Sequence, residues 1–133
     1  MDRILVVDDE VAIRDLIKEV LQLAGFEVSA CEDGLTALNL LRREKFDLII
    51  LDVNLPKLDG FALLQKVRES APAQPIILIS ARTDKEDVTH GLRLGADDYI
   101  RKPFGIEELV LRVENRLRRE SSAVELISGP IGL

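Results

Sequence analysis

The chain has 133 residues, a formal net charge of −6 and 47% hydrophobic residues with few aromatics, which suits one domain whose core is filled by Leu, Ile and Val. The acidic balance argues against this piece gripping a phosphate backbone by itself, and no apolar run approaches the length of a membrane span. One cysteine, Cys31, excludes an internal disulfide, and the chain enters Ile4-Leu5-Val6-Val7 without a signal pattern, so the expectation is a soluble cytoplasmic domain.

Ile4 to Val7 reads as a first strand closed by Asp8-Asp9-Glu10. Ile13, Leu16, Ile17, Val20 and Ala24 recur at helical spacing, and Gly25 is a natural stop. Phe26 to Cys31 alternates like an edge strand, with Cys31 as a small, half-buried residue. Asp33-Gly34 is a turn, and Leu35, Leu38 and Leu41 mark a second helix. Asp47 to Asp52 is a third strand, apolar from Leu48 to Leu51 and ending on a carboxylate. The Leu55-Pro56-Lys57-Leu58-Asp59-Gly60 loop then leads into a helix with Phe61, Leu64 and Val67 inward.

Pro75 opens a fourth strand, Ile76 to Ser80. Asp84 is placed to cap a fourth helix running to about Gly95. Tyr99-Ile100-Arg101 is a short fifth strand before Lys102-Pro103. A last helix carries Ile106, Leu109, Val110, Val113 and Leu117 on one face and ends in Arg116, Arg118 and Arg119. Five strand–helix alternations with short loops predict a doubly wound parallel sheet. From Glu120 the pattern breaks, so residues 1–119 read as the domain and residues 120–133 as a linker with the beginning of something further.

In such sheets chemistry collects beyond the carboxyl ends of the strands. Those ends deliver Asp8, Asp9, Asp52, Ser80 and Lys102. Crowded carboxylates repel, and a hard divalent cation such as magnesium resolves the repulsion with oxygen ligands. Asp52 is placed to attack a phosphoryl group as a carboxylate nucleophile. The metal and Lys102 would then offset charge on the phosphoryl oxygens, and Ser80 would donate a hydrogen bond to one of them. Singly, each residue has an ordinary explanation: a helix cap, a loop hydroxyl, a solvated lysine. Their joint occurrence at strand ends is the signal.

The stretches Leu5-Val6-Val7-Asp8-Asp9-Glu10, Leu51-Asp52-Val53-Asn54-Leu55-Pro56-Lys57-Leu58-Asp59-Gly60, Ile79-Ser80-Ala81-Arg82 and Gly95 to Phe104 resemble the receiver domain of two-component response regulators from about Arg3 to Arg119. The resemblance implies the flavodoxin-like (βα)5 fold with strand order 2-1-3-4-5. It further implies Asp52 as phospho-acceptor, with magnesium held by Asp8, Asp9 (most directly), Asp52 and the backbone carbonyl of Asn54. Lys102 would contact the phosphoryl group, with a cis bond before Pro103, and Ser80 and Tyr99 would be the switch pair. The phosphoryl donor would be a phosphohistidine on a sensor histidine kinase. The single histidine, His90, falls in the fourth helix as a surface residue.

Gly95 to Tyr99 and the arginine-rich last helix look like the OmpR/PhoB subfamily, whose receivers pair as homodimers through helix 4, strand 5 and helix 5. That likeness implies a dimer face of Asp97, Asp98, Glu108, Leu111, Arg112 and Arg119, with Asp98–Arg112 and Asp97–Arg119 as cross-dimer pairs. Val88 stands where the subfamily commonly has a basic residue, leaving Glu108 without that partner. Ile127 to Leu133 resembles the opening strand of a winged-helix DNA-binding domain, so DNA contact and transcriptional control would belong to that part. The chain then reads as a signalling switch rather than an enzyme. Competing classes are a stand-alone phosphorelay receiver, a degenerate receiver used for docking, and a haloacid-dehalogenase-like phosphohydrolase. The last wants its nucleophile on the first strand in a D-x-D arrangement, and here that strand ends Asp8-Asp9-Glu10.

Overall fold

A computed structural model describes residues 1–82 and 85–128, with the side chains of 119–128 excepted. Strands β1 (Arg3–Val7), β2 (Glu27–Cys31), β3 (Leu48–Asp52), β4 (Ile76–Ser80) and β5 (Asp98–Arg101) alternate with helices α1 (Val11–Leu23), α2 (Gly34–Arg43), α3 (Gly60–Ser70), α4 (Lys85–Arg93) and α5 (Ile106–Ser128). The sheet order is β2-β1-β3-β4-β5, with every pairing parallel. This is the flavodoxin-like arrangement read from the sequence.

Alternation along the strands divides the core in two. Leu5, Val7, Ile49, Leu51, Ile76 and Leu78 pack toward α2 and α3 through Ala37, Leu63, Leu64 and Val67. Ile4, Val6, Leu48, Ile50, Ile77 and Ile79 pack against Ile17 and Leu21 of α1 and Leu109, Val113 and Leu117 of α5. Each of these buried branched side chains contributes about 1.5–3 kcal/mol, and β3 and β4 are covered on both faces, which is why they read as unbroken apolar runs.

Several helix faces are rotated from the sequence expectation. On α1 the buried residues are Ile17 and Leu21, while Leu16 and Ala24 are exposed. On α2 it is Ala37 that is buried and Leu35 that faces out, and on α5 Ile106 is exposed. Apolar residues at neighbouring helical positions made the stripe look wider than the contact it serves. Helix α5 continues to Ser128, past the expected end at Arg119, because Ser121-Ser122-Ala123 contains no breaker before Gly129-Pro130. Ile127 and Ser128 of the expected winged-helix strand therefore lie in α5, and the remainder of that stretch, like the Asp84 cap, lies outside the described residues.

Helix ends follow local chemistry. Gly25 takes φ +100° and Gly95 φ +105°. Phe26 N donates to Leu21 O and Ala96 N to Gly91 O, the six-to-one closure that a left-handed residue permits. Asp33 and Asp59 cap α2 and α3 by accepting from Thr36 N and Ala62 N. Asp59→Ala is expected to cost about 1 kcal/mol, read as a lower urea midpoint at unchanged slope. Among the described residues no helix is long and apolar enough to cross a membrane.

Candidate phosphoryl-acceptor and metal site

Strand register assembles the site. Val7 pairs with Leu51 and Asp52 with Ile79, so Asp8 emerges beside Asp52 and Ser80 one step beyond it. Ser80 pairs with Arg101, which brings Lys102 to the same edge. The chain leaves β1 toward β2 on one side and reaches β3 on the other, so Asp8 and Asp52 flank the point where the strand order reverses.

Asp52 is 3% exposed and Asp8 fully buried. Lys102 Nζ stands between them, 2.7 Å from Asp52 Oδ2, 3.0 Å from Asp8 Oδ2 and 3.3 Å from Glu10 Oε1. The Lys102–Pro103 peptide is cis. Asn54 N donates to Asp52 Oδ1 at 3.0 Å, and Glu10 N to Asp8 Oδ1 at 2.9 Å. The contact of Lys102 with Asp8 lacks hydrogen-bond geometry, and Asp8 Oδ2 is the one buried side-chain oxygen among the described residues without a hydrogen-bond donor.

Burial pushes the Asp8 carboxyl above its ordinary range, against the Glu10 amide and Lys102, which favour the carboxylate, and with Asp52, which opposes it. Burial also works against the Lys102 ammonium, but its hydrogen bond to Asp52 and its close ion pair with Asp8 outweigh that and hold it above its ordinary value. Carboxylate oxygens of Asp8, Glu10 and Asp52 lie within 4.8 Å of one another, so three carboxylates face one lysine. Charge of that sign and closeness, with an oxygen left unsatisfied, is a donor set suited to a hard divalent cation.

The sequence expectation named Asp8 and Asp9 for this cluster. The structure groups Asp8 and Asp52 with Glu10, which is itself exposed, and leaves Asp9 outside the group. Glu10 was missed, although an Asp-Asp-Glu run at a strand end carried the signal. Asn54 directs its amide to Asp52, and its side chain is exposed.

Ser80 and Tyr99 are both buried and meet through a third residue. Ser80 Oγ accepts from Arg82 N at 2.9 Å, and Tyr99 Oη donates to Arg82 O at 2.8 Å. Burial raises the Tyr99 hydroxyl above its usual range. Arg82 bridges the two groups, its amide on Ser80 and its carbonyl on Tyr99, a link no spacing in the sequence discloses. Cys31 is half-buried, its thiol pushed up to about 11 by burial and by Asp33. His90 is exposed, edge-on to Phe61 with ring centroids 4.7 Å apart.

The charges expected at a dimer face are paired within the chain. Arg112 holds Asp98 at 2.8 Å and also reaches Glu108 at 3.4 Å, so Glu108 has a partner despite Val88. Asp97 accepts from Ile76 N at 2.7 Å and stands 3.3 Å from Arg68 and 3.9 Å from Arg116. Its position at the corner where three elements meet explains this inward use. Leu111 is exposed, as its place off the buried stripe implied, and the Arg119 side chain lies outside the described residues.

Comparison with known proteins agrees with this geometry. Residues 4–114 match the family described as response regulator receiver domain. The transcriptional regulatory protein RprY of Bacteroides fragilis is 44% identical over 117 residues, 88% of this chain and 50% of that protein. The regulatory protein VanRc of Enterococcus gallinarum is 45% identical over 118 residues, 89% of this chain and 51% of that protein. The chain thus spans about half the length of the curated relatives it matches. Among solved structures, the receiver domain of the Francisella response regulator 1452 superposes with a TM-score of 0.87 at 36% identity, covering 90% of this chain and 99% of that one. A CheY-like receiver domain protein from Methanospirillum hungatei gives 0.88 at 31% identity, covering 92% and 98%. Family match, identity and fold agree with the acidic site at the strand ends: the chain belongs to the response regulator receiver domain family.

Proposed function

We propose that this domain accepts a phosphoryl group on Asp52 from a phosphohistidine of a sensor histidine kinase and passes the event on as a change of conformation. The observation that carries this is the buried Asp52 carboxylate held between the Asn54 amide and the Lys102 ammonium beside an unsatisfied Asp8 oxygen. In the transfer, an Asp52 oxygen forms the O–P bond as the donor's P–N bond breaks. The imidazole leaves with the bonding pair and takes a proton from water. Lys102, held in its charged form, remains beside the oxygens that gain negative charge. Asp8, Glu10 and Asp52, with Asp9 and the Asn54 carbonyl in support, would hold magnesium, which when bound supplies charge compensation to the phosphoryl oxygens.

Ser80 is the first group to read the product. Its oxygen accepts from Arg82 N, and turning its hydroxyl toward a phosphoryl oxygen releases that amide. The carbonyl of the same residue is held by Tyr99, so the change reaches the Tyr99 ring through one residue. Converting a mostly inactive population into a mostly active one takes about 5.5 kcal/mol of differential stabilisation. Phosphoryl contacts to Ser80, Lys102 and magnesium are the source proposed for it.

On this reading residues 120–133 lead into a winged-helix DNA-binding domain that controls transcription; support for the last point is that the half-matched RprY is named a transcriptional regulatory protein. Phosphorylated receivers would dimerise through α4, β5 and α5 in the cytoplasm. The intrachain Arg112–Asp98 and Arg112–Glu108 pairs would then have to exchange for pairs across the dimer.

The reading is tested with a small acyl phosphate as donor. Wild-type protein should take up close to one phosphoryl group per chain with magnesium present and none with a chelator, and no uptake under either condition would refute it. Magnesium alone should raise the melting temperature, by about 5 °C at tenfold excess over its dissociation constant. Asp8→Asn should melt higher than wild type without metal, since a carboxyl whose folded pKa is raised destabilises the fold above that pKa and not below the unfolded one. The same variant should lose most of the magnesium response, and an undiminished response would remove Asp8 from the metal site.

A further inference from the structure

The loop from β3 to α3 starts at the Asn54 amide that holds Asp52 and is bent against the preference of its own sequence. Lys57 has φ +68°, a left-handed value that a side chain disfavours. Leu58 N donates to Pro56 O at 2.7 Å, closing a three-residue turn about Lys57. That turn is strained when its central residue is left-handed and persists only where its surroundings hold it.

The surroundings are the N-terminal end of α2. The Leu58 peptide lies so close over Gly34 that a Cβ there would overlap the Leu58 carbonyl oxygen and stand 2.8 Å from Leu58 Cβ. The Leu58 side chain packs into the core beneath α2 and α3. Lys57 Nζ stands 3.7 Å from Asp33 Oδ2, on a carboxylate that is itself buried and already caps α2 through Thr36. A backbone approach, an apolar contact and an ion pair join one turn to one helix end. An exposed ion pair alone contributes little, but here it pins a turn with no local reason to form.

We propose that Asp33, Gly34 and Lys57 form a latch that positions the phosphoryl-acceptor loop, acting on Asp52 through the Asn54 backbone. The proposal rests on Asp52 being the acceptor. None of the three touches Asp52, so they are positioning residues. Freeing the turn lets the Asn54 amide drift from Asp52 Oδ1, and misplacement of a reacting group by a fraction of an ångström costs rate steeply.

Three variants separate the parts. Lys57→Ala drops the ammonium and keeps a side chain at the disfavoured φ, Lys57→Gly drops the ammonium but makes that φ favourable, and Asp33→Asn keeps a capping oxygen without its charge. With a small acyl phosphate and saturating magnesium, Lys57→Ala and Asp33→Asn should slow phosphorylation about fivefold, with Lys57→Gly within about twofold of wild type. The amide resonance of Asn54, observed by NMR without donor, should move in the first two variants and stay in place in Lys57→Gly. An alanine variant matching wild type in both rate and Asn54 amide overturns the latch. So do alanine and glycine variants slowed equally, which would mean that the ammonium acts directly. If wild type takes up no phosphoryl group, Asp52 as acceptor fails, while the Asn54 amide still decides for or against the latch.

Discussion

Replacing Asp52 with Asn is expected to abolish phosphorylation while leaving the fold intact. The amide oxygen of Asn can still accept from Asn54 N, and Lys102 keeps Asp8 and Glu10 as partners. Removing one of three clustered carboxylates also relieves repulsion, so the variant should melt no lower than wild type. What disappears is the nucleophile, because a carboxamide cannot form the acyl phosphate. Uptake measured by intact mass after exposure to a small acyl phosphate and magnesium should fall to background. A folded Asp52→Asn protein labelled at the wild-type rate would place the acceptor elsewhere.

The second large effect is expected at Gly60, which packs against the backbone of Asp52. A Cβ there would overlap the Asp52 carbonyl oxygen and lie 2.7 Å from Val53 Cα, all of it backbone that cannot rotate away. Gly60 N also donates to Val53 O at 2.8 Å, so the first turn of α3 is fastened to the residue after the acceptor. Gly60→Ala must push α3 off the sheet or lift the end of β3. Overpacking of this kind costs about 3 kcal/mol. Urea unfolding should show the loss, and the surviving folded protein should accept phosphate more slowly. A midpoint within about 0.5 kcal/mol of wild type would mean that α3 can shift without disturbing Asp52.

The sheet was legible because its strands declare themselves: Leu48 to Leu51 and Ile76 to Ile79 are unbroken apolar runs, and parallel strands in register must bring their ends together. Asp52, Asp8, Ser80 and Lys102 followed from that alone. Residues whose place depends on a turn did not. Asp9 and Glu10 are adjacent in sequence, and the entry into α1 decides which of them faces the cluster. Arg68, which clamps Gly95 O at 2.7 Å and reaches Asp97, lies in an ordinary helical pattern. Asp97 looked like a surface charge because nothing in its neighbourhood of the sequence shows that Ile76 N, Arg68 and Arg116 converge on it. Helix faces were misjudged for a related reason, since the stripes on α1 and α2 carry more leucines than the sheet can cover.

The most direct test of Asp52 as the acceptor is to locate the phosphoryl group chemically. Wild-type protein treated with a small acyl phosphate and magnesium can be reduced with borohydride, which converts an aspartyl phosphate to homoserine, and then mapped by peptide mass spectrometry. Conversion at Asp52 alone, lost when a chelator replaces magnesium, is the expected result. Conversion at another carboxylate, or a stable phosphate on Ser80, with Asp52 unmodified, would contradict it.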